Sequence, residues 1–254
     1  MIEEILAPAV AITAYVSHKV LGPTLDEMGI DLKEFYNKNF SILLEKAEKK
    51  VINLDEGAKV NLRVAHDVAV NGGFTNDGVC AEYFSGILAA SMSADEMDDS
   101  ALPFVGSIKA LSSKQLHLHY AIYSLMHKLL SQSNAVDPVM QDEDAFLAKQ
   151  IWFVSEHLER LGIKPDMDLR ILQREDLISK FSTGAFKNIH ATSVQPSLLG
   201  VMLFAVAHNQ LTLWKHFGHA TFPDCETEIT LPTFYTSTFD DMLIHFGCHP
   251  HRQQ

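Results

Sequence analysis

The residues best equipped for chemistry crowd the C-terminal end of this sequence: His216, His219, Cys225, His245, Cys248, His249 and His251. The stretches HFGH (216–219) and HFGC (245–248) each set two nitrogen or sulfur donors three residues apart. Zinc takes about four such donors in a tetrahedron, so His216, His219, Cys225, His245 and Cys248 are the candidate metal ligands. Their spacing follows no recognised zinc-finger pattern, and the last residues, CHPHRQQ, read as an exposed histidine-rich tail. The expectation is a protein without an obligatory cofactor, with Zn as the one ion to look for.

Two other groups invite a chemical reading. His66-Asp67 is the kind of pair that metal-dependent phosphohydrolases use in all-helical folds, but the further His and Asp at matching spacing are not found. Asp95, Glu96, Asp98 and Asp99 crowd the stretch between Ser93 and Ser100. A calcium loop would need a central glycine and further oxygen ligands, so these acids read as a connector before a helix, where negative charge is favourable. His117 and His119 lie in one helix, two residues apart, and so point to different faces. The sequence has no GxGxxG, Walker, GxSxG or HExxH motif, and no catalytic residue is assigned.

The elements that would position these groups are mostly helical. Residues 3–20 form a candidate helix stopped by Gly22-Pro23. A second runs from about 32 to 51, with Phe35, Ile42, Leu43, Ala47 and Val51 as its apolar face and Lys33, Glu34, Glu45 and Lys49 toward solvent. A third covers about 58–70 and ends at Asn71-Gly72-Gly73, where left-handed backbone costs little. Thr75, Asn76 and Asp77 are alternative caps for a helix carrying Cys80, Tyr83, Phe84, Ile87 and Leu88 on one side. Its other side, with Gly86, Ala89 and Ala90, is small enough for a neighbour to approach closely. Ser100 is the expected cap of the next helix, with Pro103 in its first turn. Ser112 with Gln115 is a capping-box signature for a helix over about 113–131.

SQSNAVDP (131–138) reads as the linker between residues 1–131, a helical arm and bundle, and residues 139–254, a C-terminal α+β part. A long helix is expected from Asp142 to Leu161, with Leu147, Ile151, Val154, Leu158 and Leu161 on one face and Gly162 at its end. Short helical pieces follow over 167–181, then a strand over 188–194, then a buried helix opened by Pro196. The β-branched and aromatic residues between Thr221 and Thr238 suggest strand or extended chain. The fold class is thus mainly α: a multi-helix bundle with a smaller α+β C-terminal part open to a winged-helix-like form.

Composition narrows the function. The 254 residues carry a net charge of −12, which gives a nucleic-acid backbone nothing to hold. Three cysteines without a CxxC pair fit a reducing compartment. The start, MIEEILAPAV, is acidic where a secretory signal needs basic residues. The apolar segment 5–21 is interrupted by Ser17, His18 and Lys19, short of the roughly 20 apolar residues that a span requires. A cytoplasmic location is expected.

Four segments carry a resemblance. YFSGILAASMS (83–93), LPFVGSIKALSS (102–113), LERLGI (158–163) and SVQPSLLGVMLF (193–204) match, in order and spacing over roughly residues 60–210, the abortive-infection alpha (Abi-alpha) family of bacterial phage-resistance proteins. The sequence departs from that family at Leu102, where a histidine often stands, and residues 220–254 have no counterpart. The resemblance implies a setting, antiviral defence, and no catalytic residue set. The expected protein works by contact with a phage or host protein, with self-association into a homo-oligomer open. Its rivals are a metal-dependent hydrolase or nuclease using His66-Asp67 or the C-terminal His/Cys group, and a membrane-acting effector using the N-terminal apolar helix.

Overall fold

The computed structural model describes residues 30–51, 59–93, 99–132, 143–186, 189–223, 225 and 229–247. The candidate helix 3–20, most of the linker 131–138 and Cys248 lie outside them. The chain forms two compact units: residues 1–110 with 206–211, and residues 111–205 with 212–254. The fold is mainly α with a smaller α+β part.

The first unit contains α1 (Ile30–Lys50), β1 (Lys59–Val60), α2 (Leu62–Gly72), α3 (Gly78–Ala90), β2 (Met92–Ser93) and α4 (Leu102–Lys109). In α1 the buried face is Tyr36, Phe40, Leu43, Leu44 and Ala47, while Phe35 and Ile42 are exposed, which corrects the apolar face expected from the sequence. Tyr36 and Phe40 stack at 5.6 Å, and the large aromatic surfaces win the inward position because they remove the most apolar area from water. α2 is capped by Asn61, whose side chain accepts from the amides of Arg63 and Val64. It runs through Gly72, and Gly73 keeps a right-handed φ of −65°, so these glycines do not end the helix by a left-handed turn. A Cβ on Gly72 would lie 2.4 Å from Leu43, and one on Gly73 2.1 Å from Tyr36; they are glycines because α1 packs on them.

Asp77 is the N-cap of α3, accepting from the Cys80 amide at 3.0 Å. This helix is the centre of the unit, buried from Val79 to Ala89. Gly86 makes the close approach foreseen for it: a Cβ there would meet the Ala207 carbonyl at 2.3 Å. Among these buried residues is Glu82, with the Lys46 ammonium 2.5 Å from one oxygen and Lys50 2.7 Å from the other. Lys50 also donates to the carbonyls of Glu82 and Ala207 and to the Ser85 hydroxyl, at 2.7, 2.8 and 2.9 Å. Asn209 donates to the Lys50 carbonyl at 2.9 Å. Residues 206–211 are thereby tied to α1 and α3. Burial alone would raise the Glu82 pKa, but Lys50 and Lys46 outweigh it and hold the carboxyl at about 2.

The second unit starts with α5 (Ser113–Ser131), which carries the expected capping box between Ser112 and Gln115. It continues with α6 (Glu143–Leu147), β3 (Ile151–Val154), α7 (Glu156–Arg160), α8 (Pro165–Arg174), β4 (Lys180–Phe186) and β5 (Ile189–Gln195). α9 (Leu198–Ala207), a 3-10 helix (Leu211–His216), β6 (Tyr235–Thr236) and α10 (Phe239–His245) complete the list, α9 ending in the stretch that belongs to the first unit. The long helix expected over 142–161 is instead helix, strand and helix. Ile-Trp-Phe-Val is a strand-forming run, and its pairing with β5 (Ile151↔Val194 to Val154↔Ala191) gives the backbone partners that outweigh the helical spacing. The sheet is antiparallel in the order β4-β5-β3-β6. Between Thr221 and Thr238 only Tyr235–Thr236 is strand among the described residues.

Tyr123 knots this unit. Its hydroxyl donates to the Leu177 carbonyl at 2.7 Å and accepts from the Ser197 amide at 3.0 Å. Phe204 and Phe217 lie against it at 6.3 and 6.2 Å and meet each other edge-to-face at 5.8 Å, with Phe146 and Phe222 packed on Phe217. His119 is wholly buried beside Tyr123, ring centroids 4.7 Å apart. Burial lowers its pKa to about 3, against the opposing pull of a hydrogen bond with the Gly200 backbone. The native imidazole is therefore neutral where the unfolded one, near 6.5, takes up a proton. Stability from this difference is complete above about pH 6.5 and is lost as the pH falls toward 3. The thermal midpoint is expected to drop between pH 7 and 5, and His119→Phe to flatten that slope. Half-buried His127, lowered in pKa by burial, acts in the same direction; equal slopes in both proteins refute the assignment to His119.

Candidate functional site

An open cleft of about 460 Å³ in the first unit collects more charged groups than any one element could supply. α2 gives it Arg63 and Asp67, one helical turn apart on the same face. The chain before α4 gives Asp99 and Ser100, and α4 itself gives Leu102, Pro103, Val105, Gly106 and Lys109. The helix does not start from Ser100 as expected: Ala101 occupies the N-cap position without any side-chain cap. The Leu102 amide instead bonds the Asp99 carbonyl at 2.9 Å, and the Asp99 carboxylate turns to Arg63 at 3.0 Å.

The rim is thus mixed in sign, with Arg63 and Lys109 against Asp67 and Asp99, over a floor made by Leu102 and Val105. The Arg63–Asp99 pair bridges the two walls and is well exposed on both sides. Such a pair is worth about 0.2–1 kcal/mol, so a partner's own charges can replace it at small cost. Gly106 lines the same cleft, with open space where a Cβ would stand.

The sequence marks two residues of this cleft for a chemical reading, Asp99 of the acidic connector and Asp67. Its neighbour His66 lies 3.2 Å from it on the exposed side of α2. Arg63 and Lys109 were not singled out, because nothing in sequence marks two ordinary surface cations that meet only through the packing of α2 on α4. Asp95, Glu96 and Asp98 fall outside the described residues.

The candidate metal ligands are distributed along the C-terminal part. His216 ends the 3-10 helix and its carbonyl accepts from the amides of His219 and Ala220 at 2.9 and 2.7 Å, leaving both histidine side chains exposed. Cys225 is half-buried. His245, at the end of α10, stacks on Phe234 with ring centroids 3.6 Å apart. Among the described residues no three His, Cys, Asp or Glu side chains form a group able to hold a metal ion. His117 and His127 instead meet backbone carbonyls, of Thr230 and Ala220, at 2.9 and 2.8 Å.

A smaller hollow of about 200 Å³ in the second unit is lined by Ser155, Glu159, Asp166, Thr183 and His190. The hydroxyls of Ser155 and Thr192 face each other at 2.5 Å, and that of Thr183 donates to Asp166. These contacts tie up Ser155 with a hydroxyl where a nucleophile would need a base.

No family model, no curated protein and no solved structure matches this chain. Among the described residues no helix is long and apolar enough to cross a membrane. The apolar segment 5–21 lies outside them.

Proposed function

We propose that this protein acts in bacterial antiviral defence, in the cytoplasm, by binding a phage or host protein rather than by catalysis, and that the cleft between α2 and α4 receives a segment of that partner. The observation that carries the reading is the cleft's make-up: two cations and two acids lining it beside apolar residues, bridged by an exposed ion pair that a partner can displace. That arrangement suits a chain segment with charges of both signs better than a small substrate, which is usually held by a concave, largely apolar pocket. The wall formed by residues 102–109 belongs to the stretch that resembles the Abi-alpha family, and this supports the defence setting.

Phage plating on cells with and without the gene tests the setting, and Arg63→Glu together with Lys109→Glu tests the cleft. Both side chains are exposed, so the double variant is expected to fold as the parent does, with plaque numbers rising to those of cells that lack the gene. Unchanged plaque numbers between cells with and without the gene, across a broad phage panel, dismiss the defence reading. Full protection by the double variant dismisses the cleft.

A further inference from the structure

The outward side of α1 carries exposed apolar side chains. Leu32, Phe35 and Ile42 are 47%, 38% and 41% exposed, and on a helix they fall within one narrow stripe. Beside that stripe run Glu34, Lys38, Glu45 and Lys49, all exposed and spaced 4, 7 and 4 residues apart in the order acid, base, acid, base. This order has a symmetry of its own. Reversing the helix about the point between Ser41 and Ile42 lays Glu34 on Lys49 and Lys38 on Glu45, each acid on a base. The same reversal brings Ile42 onto the axis.

We propose that α1 is a self-association surface, on which a second copy of this chain packs antiparallel around a two-fold axis beside Ile42. A two-fold interface is self-complementary, so each residue pair occurs twice. The mirrored spacing therefore gives four opposite-charge contacts flanking the apolar stripe. Phe35 covers the aliphatic stem of the opposing Lys49. The Glu45–Lys49 pair within one helix, at 3.0 Å, is exposed on both sides and is cheaply exchanged for contacts across the axis. A single helix face is smaller than a standard interface, so the dimer is a weak one, formed in the micromolar range.

Sedimentation of the full chain over low to high micromolar concentration reads the dissociation constant directly. Wild type is expected to shift from monomer to dimer, and Ile42→Glu to stay monomeric. Lys38→Glu and Glu45→Lys, each placing like charges across the axis, weaken the dimer about tenfold. The double exchange restores it to near the parental value. A wild type that is monomeric throughout overturns the proposal, as does a double exchange no tighter than either single one. An Ile42→Glu melting temperature below that of wild type at a concentration where both are monomeric also overturns it, because the face would then be covered within one chain.

Discussion

Glu82→Ala is expected to lower the unfolding free energy by about 3–5 kcal/mol, the usual cost of removing one partner from a buried ion pair. The loss comes from what remains. Lys46 and Lys50 would stay inside without the Glu82 carboxylate, and Lys50 would keep neutral acceptors on the backbone of residue 82, Ser85 and Ala207. Urea unfolding followed by circular dichroism measures the change, and a loss below about 1 kcal/mol would mean that water reaches the site. Acid gives a second check. The folded carboxyl, at about 2, lies below its ordinary 4.5. Its contribution is therefore complete above about pH 4.5 and lost as the pH falls through 2. The variant is expected to lack that part of the acid transition.

Gly200→Ala is expected to cost about 2–4 kcal/mol, from overpacking joined to a broken hydrogen bond. The added methyl would sit 2.0 Å from the Tyr123 hydroxyl and 2.3 Å from the Leu177 carbonyl, atoms that bond each other. One of them must move, and the carbonyl is backbone. Gly106→Ala is the matched control: a helical glycine with nothing within 4 Å of a new Cβ. It is expected to be neutral or slightly stabilising, since alanine favours helix over glycine by about 0.8–1 kcal/mol. Thermal melts of the two variants side by side separate close packing from a general intolerance of substitution at glycine.

What could be read from the sequence was whatever a few neighbouring residues decide together. The capping box of α5, a cap for α3 among Thr75, Asn76 and Asp77, the closeness demanded at Gly86 and Gly162 at a helix end all depend on contacts or geometry that residue type alone announces. Choices between two locally acceptable outcomes were not legible. Ile151–Val154 satisfies a helical spacing and a strand composition at once, and only the register with β5 settles it. α1 offers two apolar stripes, and the packing of Gly72 and Gly73 against Leu43 and Tyr36 selects one. Glu82 reads as a surface acid until Lys46, 36 positions earlier, is brought to it. The cleft was hidden for the same reason, because Arg63 and Asp99 are also 36 positions apart.

The ties of Lys50 and Asn209 have a consequence for the order in which this protein is made. The trough over Gly86 is filled by Val206 and Ala207, which leave the ribosome long after Ala110. At about 5–20 residues per second that interval is about 5–20 s. The unit that is translated first is thus incomplete until residue 211, and a nascent chain stalled before residue 206 exposes an unsealed groove over Gly86.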